Sequence, residues 1–535
     1  MTHVWRVGAL GLACLLIAAG PWSWGAAQAQ APRTLVIAIG TDQTGLDPQT
    51  VINNESGDVM STIYDSIVEK KKGTSIVVPG LAESWTASPD GRTFTFKLRR
   101  GVTFSDGTPM NAHTAADDVA RAIDPNSPCY VYKLKVSTLD ELTYGQAEHG
   151  TAPKVDVPDD YTIRFTFPTA NAPFLANLTM IWSGITSPTA VKQNNCDARQ
   201  HPAGTGPFKF VETVKDDHTT VDANPAYWNG APKLGRIIFK VVPESTTRLL
   251  QLERNEVQIL TDVPASDYAR IRGNAALRLL TAPGLDSVGI VMSFDAGPFK
   301  DVRVRRALNY AVDKDAINRG LYGGAGTASQ GSPPPAPGYD KSIKPYPYDP
   351  AKARALLREA GFPNGFSTEM LVYAAPRGYN PVGGAKLGEA VQSYLAKVGI
   401  QVKLTQYEWG AYLDKVRHTQ WEGMSIYGNS GDSGDPSEFL DWLYQYNEGT
   451  GKASLGNVGR YHNPKYDALL EEGHRVTDPA RRAAIYEQAN RILHDDAPWI
   501  FINNLNQVKA IRSSVQGFQL ATEPYYFYMQ DVSLR

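Results

Sequence analysis

The chain of 535 residues is longer than one hydrophobic core usually serves, so we expect two or three structural units. Its composition, with 42% hydrophobic and 20% charged residues, is that of an ordinary soluble globular protein. A formal net charge of -2, with no sustained basic or acidic run, argues against nucleic acid or an anionic membrane surface as the main partner.

The first 29 residues are typical of an export signal. Arg6 gives a positive start, residues 7–19 are apolar, and Ala27 and Ala29 supply the small side chains that a signal peptidase requires. We therefore expect the signal peptide 1–29 to be removed and the mature chain to be periplasmic. No later segment approaches the roughly 20 apolar residues of a membrane span.

Three cysteines are present. Cys14 falls inside the signal, and the apolar run continues past it, which disfavours a lipoprotein cysteine. Cys129 and Cys196 remain in a compartment that permits disulfides. They either pair with each other or stay as two unrelated thiols, because the sequence does not supply their separation.

Four strands are predicted in the first half of the mature chain from apolar runs or from alternation of apolar and polar residues. They cover residues 35–39, 93–98, 161–167 and 237–242.

Helices follow with clear start signals. Residues 303–314 predict an amphipathic helix, and Asp349 and Asp478 each precede a proline, as at the start of a capped helix. The apolar stripe over residues 387–398 predicts another helix, and the alternation over residues 400–404 predicts a strand directly after it. Helices and strands joined by short links predict an α/β fold.

Several segments together resemble the oligopeptide- and dipeptide-binding class (family 5) of ABC-transporter solute-binding proteins, closest to its dipeptide-binding branch. They occur in the family's order and spacing, and the likeness spans nearly all of the mature chain. The segments are PGLAESW at 79–85, LRRGVTFSDGTP at 98–109, GTGPF at 204–208, NPAYW at 224–228 and DVRVRRAL at 301–308.

The resemblance implies the two-lobed periplasmic-binding-protein type II (cluster C) fold with an extra inserted subdomain. By analogy, lobe I is discontinuous and uses residues 30–65, 201–290 and 509–535. The inserted subdomain, residues 66–200, packs on lobe I, and residues 291–508 form lobe II. A cleft between two such lobes closes over a ligand by hinge motion.

In function, the resemblance implies an extracytoplasmic solute-binding protein of an ABC importer. Such a protein captures short peptides and delivers them to permease subunits that are served by a separate ATPase, and we expect a monomer. The alternative keeps the transport role with another cargo: haem, a metal chelate, an opine-like conjugate or an oligosaccharide.

A short peptide is a zwitterion, so a closed cleft needs a carboxylate for the ammonium and a guanidinium for the carboxylate. The GDSGDP segment at 431–436 resembles the family loop whose aspartate holds the peptide amine, which assigns that role to Asp432 beside Gly431. Alternatively, Asp432 merely caps the following helix. The RGYNP segment at 377–381 resembles the segment whose arginine holds the peptide carboxylate, which assigns that role to Arg377. A surface arginine is the alternative.

Three further residues are expected to line the cleft. Tyr379 follows the arginine, Trp409 corresponds to a family aromatic near the pocket, and Thr41 lies in the loop after the first strand. A tryptophan in the hydrophobic core is an equal alternative for Trp409. The chain departs from the dipeptide-binding branch at Gly378, where that branch has proline, and near Asn429, where it has tryptophan, so the cargo need not be an ordinary dipeptide.

An enzymatic alternative exists in the same loop. The GDSG tetrad at 431–434 also surrounds the nucleophile of chymotrypsin-like proteases, but Asp435 replaces that family's second glycine and no histidine stands in its characteristic context. The histidines are scattered, and the glycine-rich stretches lack the P-loop lysine. We expect no enzymatic activity, no metal and no cofactor.

Overall fold

The structure of this protein is a computed structural model. It describes residues 1–2, 33–51, 53–134, 143–145, 150–447 and 451–535. The predicted signal peptide therefore lies outside the described residues, apart from its first two positions. Among the described helices, none is both long and apolar enough to cross a bilayer.

The strands form one large mixed sheet and several smaller sheets. They are β1 (Thr34–Ile39), β2 (Val68–Lys70), β3 (Val77–Pro79), β4 (Ala82–Ala87), β5 (Thr93–Leu98), β6 (Lys154–Asp159), β7 (Thr162–Thr166), β8 (Phe208–Val214), β9 (His218–Ala223), β10 (Arg236–Val241), β11 (Ile259–Leu260), β12 (Leu277–Met292), β13 (Gly326–Ala328), β14 (Ser367–Tyr373), β15 (Gln401–Tyr407), β16 (Met424–Asn429), β17 (Tyr446–Asn447), β18 (Lys452–Ala453), β19 (Trp499–Arg512), β20 (Val515–Gln516) and β21 (Ser533–Leu534).

The α-helices of the described residues surround these sheets. They are Asn54–Ile63, Ala112–Ile123, Phe174–Asn177, Pro188–Gln193, Ser245–Glu253, Tyr268–Arg272, Val302–Ala311, Lys314–Leu321, Pro350–Glu359, Gly384–Ala396, Trp409–His418, Ser437–Tyr444, Pro464–Arg475 and Pro479–Asp496.

Two long antiparallel strands hold the large sheet together. The sheet has eleven strands, in the order β15-β14-β16-β12-β19-β11-β1-β10-β9-β8, with β13 paired to β19. Strands β12 and β19 pair from Leu277↔Arg512 to Val291↔Trp499 and so connect both halves of the sheet. On one side β1 runs parallel to β10 and β11, and on the other β14 runs parallel to β15 and β16. Parallel strands flanked by helices confirm the predicted α/β class.

A separate four-stranded antiparallel sheet, β4-β5-β7-β6, carries its own aromatic core. The alternation predicted for residues 93–98 is β5, with Phe94 and Phe96 fully buried. Their rings pack edge-to-face against Phe174 at 5.1 and 6.3 Å. Gly91 makes the turn between β4 and β5 with φ +68°, a conformation that favours glycine.

The buried apolar residues form three large clusters. The first cluster contains Leu440 and Tyr373, the second Ile37 and Tyr525, and the third Val68 with the aromatic core of the four-stranded sheet. We call these the first, second and third cores. The lobe and subdomain boundaries given above stay a prediction.

Local capping explains where the helices begin. Asp349 accepts a hydrogen bond from Lys352 N and Asp478 accepts one from Arg481 N, each at 2.8 Å, as their sequence signals predict. The single helix predicted over 303–314 is wrong in extent. It ends at Ala311, and a second helix begins at Lys314, because the side chain of Asp313 accepts the N–H of Ala316 and caps a new start.

Cys129 and Cys196 are joined in a disulfide. Cys129 and Cys196 lie with their Cα atoms 5.0 Å apart and are bonded through sulfur. Of the two alternatives open from the sequence, the structure therefore has the paired one.

Candidate functional site

A cavity of about 1090 Å³ lies where the two halves of the large sheet meet. The loop after β1 and the helix Asn54–Ile63 line it, together with residues from 319–323 and 376–386. Residues 505–509 of strand β19 also line it. Cavities of this size, with a few convergent polar groups, are typical small-molecule sites.

Two buried carboxylates face this cavity. Asp58 and Asp286 are each 4% exposed, and one carboxylate oxygen (Oδ1) of each accepts no hydrogen bond from the described residues. Gln507 donates to the other oxygen of Asp286 at 3.0 Å. Burial raises the pKa of Asp286 to about 6 and raises the pKa of Asp58 well above its usual range. A cationic ligand group would supply the partner that such a carboxylate oxygen lacks.

Lys509 adds a buried cation at the same cavity. Its ammonium donates to the carbonyl oxygen of Pro524 at 2.7 Å and lies 5.0 Å from the ring of Phe527. Its charge opposes the effect of burial on the pKa of Asp58. Asp58, Asp286 and Lys509 were not predicted from the sequence. For Asp286 and Lys509, the only signal is a charged residue inside an otherwise buried strand.

Arg377 also lines this cavity and has an aromatic support. Its guanidinium carbon lies 3.9 Å from the centroid of the Trp409 ring, and that ring stacks on Tyr412 at 5.8 Å. Backbone hydrogen bonds in both directions between Arg377 and Asn380 fold the segment into a tight turn. Because Arg377 forms no ion pair within the described part of the chain, its guanidinium is available for an anionic ligand group.

Trp409 and Tyr379 lie behind the cavity wall. Trp409 is half-buried under Arg377 and does not line the cavity. Tyr379 is 9% exposed and packs on the backbone of Gly428, where an added Cβ would lie 2.6 Å from its ring. These positions suit residues that hold Arg377 and its turn. Their predicted contact with ligand stays a prediction.

Asp432 and Gly431 form part of a tightly folded loop. The carboxylate of Glu438 accepts the backbone N–H groups of Asp432, Ser433 and Gly434. Gly431 has no room for a side chain, because a Cβ would lie 2.3 Å from Phe439 Cζ. The loop is thus folded around the half-buried carboxylate of Glu438.

The carboxylate of Asp432 is half-buried and lies close to other acids. Burial and the Glu438 carboxylate raise the pKa of Asp432 well above its usual range, while Lys70 opposes them. It does not cap the following helix, since Asp435 accepts the N–H of Ser437 at 2.9 Å. Asp432 does not line the cavity. Asp286 does line it, and the charge of Asp286 acts on the Asp432 carboxylate.

Of the residues predicted from the sequence, the cavity therefore brings together Thr41 and Arg377. Ser433, the serine of the protease-like tetrad, is 1% exposed and its hydroxyl donates to Glu438, so it contacts an acid rather than a histidine base. Within the described ranges, no group of three or more His, Cys, Asp or Glu side chains could hold a metal ion.

Comparisons with known proteins agree on one family. Residues 77–451 match the family model of bacterial extracellular solute-binding proteins, family 5. The chain is 34% identical over 511 residues to the heme-binding protein A of Haemophilus influenzae, covering 92% of this chain and 91% of that protein. It is 33% identical over 503 residues to the dipeptide-binding protein of Escherichia coli K12, covering 92% and 93%.

A solved structure shows the same architecture. HbpA2 from Haemophilus parasuis superposes with a TM-score of 0.85 at 30% identity, over 94% of this chain and all of that one. The comparisons confirm the predicted two-lobed periplasmic-binding fold and the resemblance on which it was based.

Proposed function

Because the chain belongs to family 5 of the bacterial extracellular solute-binding proteins, we propose that it captures short peptides in the cavity and delivers them to an ABC importer. Relatives named as dipeptide-binding and di/tripeptide-binding proteins, which are 33% and 34% identical to this chain, support a peptide cargo. On this proposal the protein is a binding protein and not an enzyme.

One observation carries the proposal: the cavity presents unpaired groups of both charges. Asp58 and Asp286 each offer a carboxylate oxygen that lacks a partner among the described residues, and Arg377 offers a guanidinium without an ion pair. A buried charge without a partner costs several kcal/mol. A zwitterion of peptide size supplies the missing partners at both ends, whereas a neutral solute leaves both ends unpaired.

The predicted amine-binding role of Asp432 is compatible with this proposal because Asp432 lies near Asp286, which lines the cavity. Its carboxylate is close enough to Asp286 for their charges to interact, so the two acids form one negative region. An ammonium bound there would stabilise both ionised forms. We propose that Asp286 and Asp432 share the peptide amine and that Arg377 takes the peptide carboxylate.

The finer points of the transport role are also proposals. They are residence in the periplasm after removal of residues 1–29, a monomeric state, contact with permease subunits that a separate ATPase drives, and closure of lobe II (291–508) on a lobe I built from 30–65, 201–290 and 509–535.

Calorimetry with dipeptides and tripeptides tests the proposal. Wild-type protein should bind them and should lose affinity for the same peptides when they are N-acetylated or C-amidated. Arg377→Gln should weaken binding of the unmodified peptide by about 100-fold, the equivalent of about 3 kcal/mol for a charge-assisted hydrogen bond, and should tolerate C-amidation. Arg354→Gln, at an exposed position outside the cavity, is the matched control. Absence of binding by every free peptide would refute the proposal.

Haem is a second candidate cargo, and the relative named heme-binding protein A, with 34% identity, favours it. The two cargoes are separated by incubating the protein with hemin and recording a Soret band after desalting. Native mass spectrometry of the freshly purified protein adds the mass of any retained solute.

A further inference from the structure

A buried lysine outside the cavity joins the three cores. Lys70 ends strand β2, which pairs with β3, and its side chain is 3% exposed. An ammonium this deeply buried requires nearby anionic or carbonyl partners.

Those partners come from distant parts of the chain. The ammonium forms an ion pair with Glu523, which is 4% exposed, and donates to the backbone carbonyl of Asp432 at 2.5 Å. The carboxylates of Asp432 and Glu438 also stabilise its charge, which partly offsets the burial that lowers the pKa of Lys70 to about 8.

Each partner adjoins a different core. Lys70 follows Val68 of the third core, Glu523 lies two residues before Tyr525 of the second, and Glu438 lies two residues before Leu440 of the first. One side chain therefore connects segments of the chain that adjoin all three cores.

The same loop is held by a second contact from the β2–β3 hairpin. Gly434 has φ +71°, and a Cβ there would lie 2.3 Å from Ser75 Oγ. Glu438 orders the loop from within by accepting three of its backbone N–H groups. Lys70 and Ser75 contact the same loop from the β2–β3 hairpin. If the lobes separate, the loop must leave both contacts.

We propose that Lys70 is a positioning residue for peptide capture, which fixes the loop carrying Asp432 against the other two cores and so sets how slowly a bound peptide leaves. The inference rests on the proposed peptide-binding function, and it concerns the closed arrangement rather than a contact with the peptide. Opening the cleft separates the ammonium from the Asp432 carbonyl, so losing Lys70 lowers the barrier to release and leaves entry into the open cleft unchanged.

Stopped-flow binding of alanyl-alanine tests this, with Lys70→Met against wild type. We expect the dissociation rate to rise about 30-fold or more, as when one partner of a buried charge pair is truncated, with the association rate changed less than about twofold. Lys72→Met is the matched control, since Lys72 lies on the same hairpin but its ion pair with Asp531 is exposed to solvent. An unchanged dissociation rate in Lys70→Met would overturn the inference.

A double variant separates positioning from the cost of an orphaned acid. Lys70→Met combined with Glu523→Gln removes both buried charges, so it should fold even if the single variant does not. If Lys70 holds the loop, the double variant still releases peptide fast. A return to the wild-type dissociation rate would show that only the unpaired Glu523 mattered, and the inference would fall.

Hydrogen exchange of the empty protein gives a readout that does not depend on cargo. The amides of residues 432–434 should exchange at least tenfold faster in the double variant than in wild type, and at the wild-type rate in Lys72→Met. Equal exchange in all three proteins contradicts the inference. If instead exchange responds but wild type binds no peptide, the positioning of the loop stands and the proposed cargo is wrong.

Discussion

Replacing Trp409 with leucine isolates the role of the aromatic support beneath Arg377. In the structure the Trp409 ring lies under the guanidinium at 3.9 Å and does not reach the cavity. Leucine retains apolar volume but removes the π face. If the ring acts by holding Arg377, the variant should bind peptide more weakly although no contact with the peptide has been deleted.

The geometry sets the size of the loss. A cation over a tryptophan face gains about 0.5–1 kcal/mol when exposed and about 2 kcal/mol when desolvated. Trp409 is half-buried, which places this pair between those limits at about 1–1.5 kcal/mol. In the variant the peptide must order Arg377 without this support, so the lost cation–π energy appears as lost affinity. We therefore expect the Kd to rise by about 5-fold to 12-fold.

A double-mutant cycle measured by calorimetry separates the two possible roles. Arg377→Met removes the charge, and Trp409→Leu is then made in that background. If Trp409 acts through Arg377, the second substitution should change the Kd by less than about twofold. Tyr310→Leu, which removes the ring beneath Lys352 on the surface, controls for loss of an aromatic support elsewhere.

The opposite result is equally clear. If Trp409→Leu weakens binding as much in the Arg377→Met background as in wild type, the indole contacts the peptide directly. Its position behind the wall would then belong to a different state of the cleft. Melting temperatures of all four proteins show whether either substitution disturbs the fold.

Two further predictions concern pH and the disulfide. Peptide affinity should fall by up to tenfold per pH unit as the pH drops through about 6, because Asp286, whose pKa is about 6, holds an ammonium only when ionised. Calorimetry from pH 5 to 8 measures this fall, and Asp286→Asn should flatten the profile. An equally steep profile in that variant would exclude Asp286 as the group responsible. Replacing Cys129 and Cys196 with serine should lower the free energy of unfolding of their region by about 4 kcal/mol, because the bond closes a loop across a 67-residue separation. Denaturant unfolding with and without reductant measures this loss, and equal midpoints would contradict the prediction.

Much of the local structure follows from residues that are near one another in the chain. Alternation of apolar residues over 93–98 locates β5, because one face of that strand is buried in an aromatic core. Asp349 and Asp478 locate two helix starts, because an N-cap needs only its own N–H partners three residues on. The prediction of one helix over 303–314 is wrong because Asp313 is also an N-cap and starts a second helix at Lys314.

The candidate site is only partly predictable because long-range pairing assembles it. Arg377 was found through a local segment that resembles a family motif, and the structure places it at the cavity. Asp286 and Lys509 reach the cavity only because β12 and β19 pair antiparallel along most of their length. Nothing within a few residues of either side chain indicates that register.

For Asp432, the motif predicts which residue is involved but not what surrounds its carboxylate. The motif supplies the residue, and the structure supplies its environment: Glu438 within the loop, Asp286 from the long strand, and Lys70 from 362 residues away. These neighbours decide whether its carboxylate is ionised and therefore whether it can hold an ammonium. A substitution at Lys70 or Asp286 can thus change peptide capture while every residue of the motif stays intact, which is why both belong among the first variants to be measured.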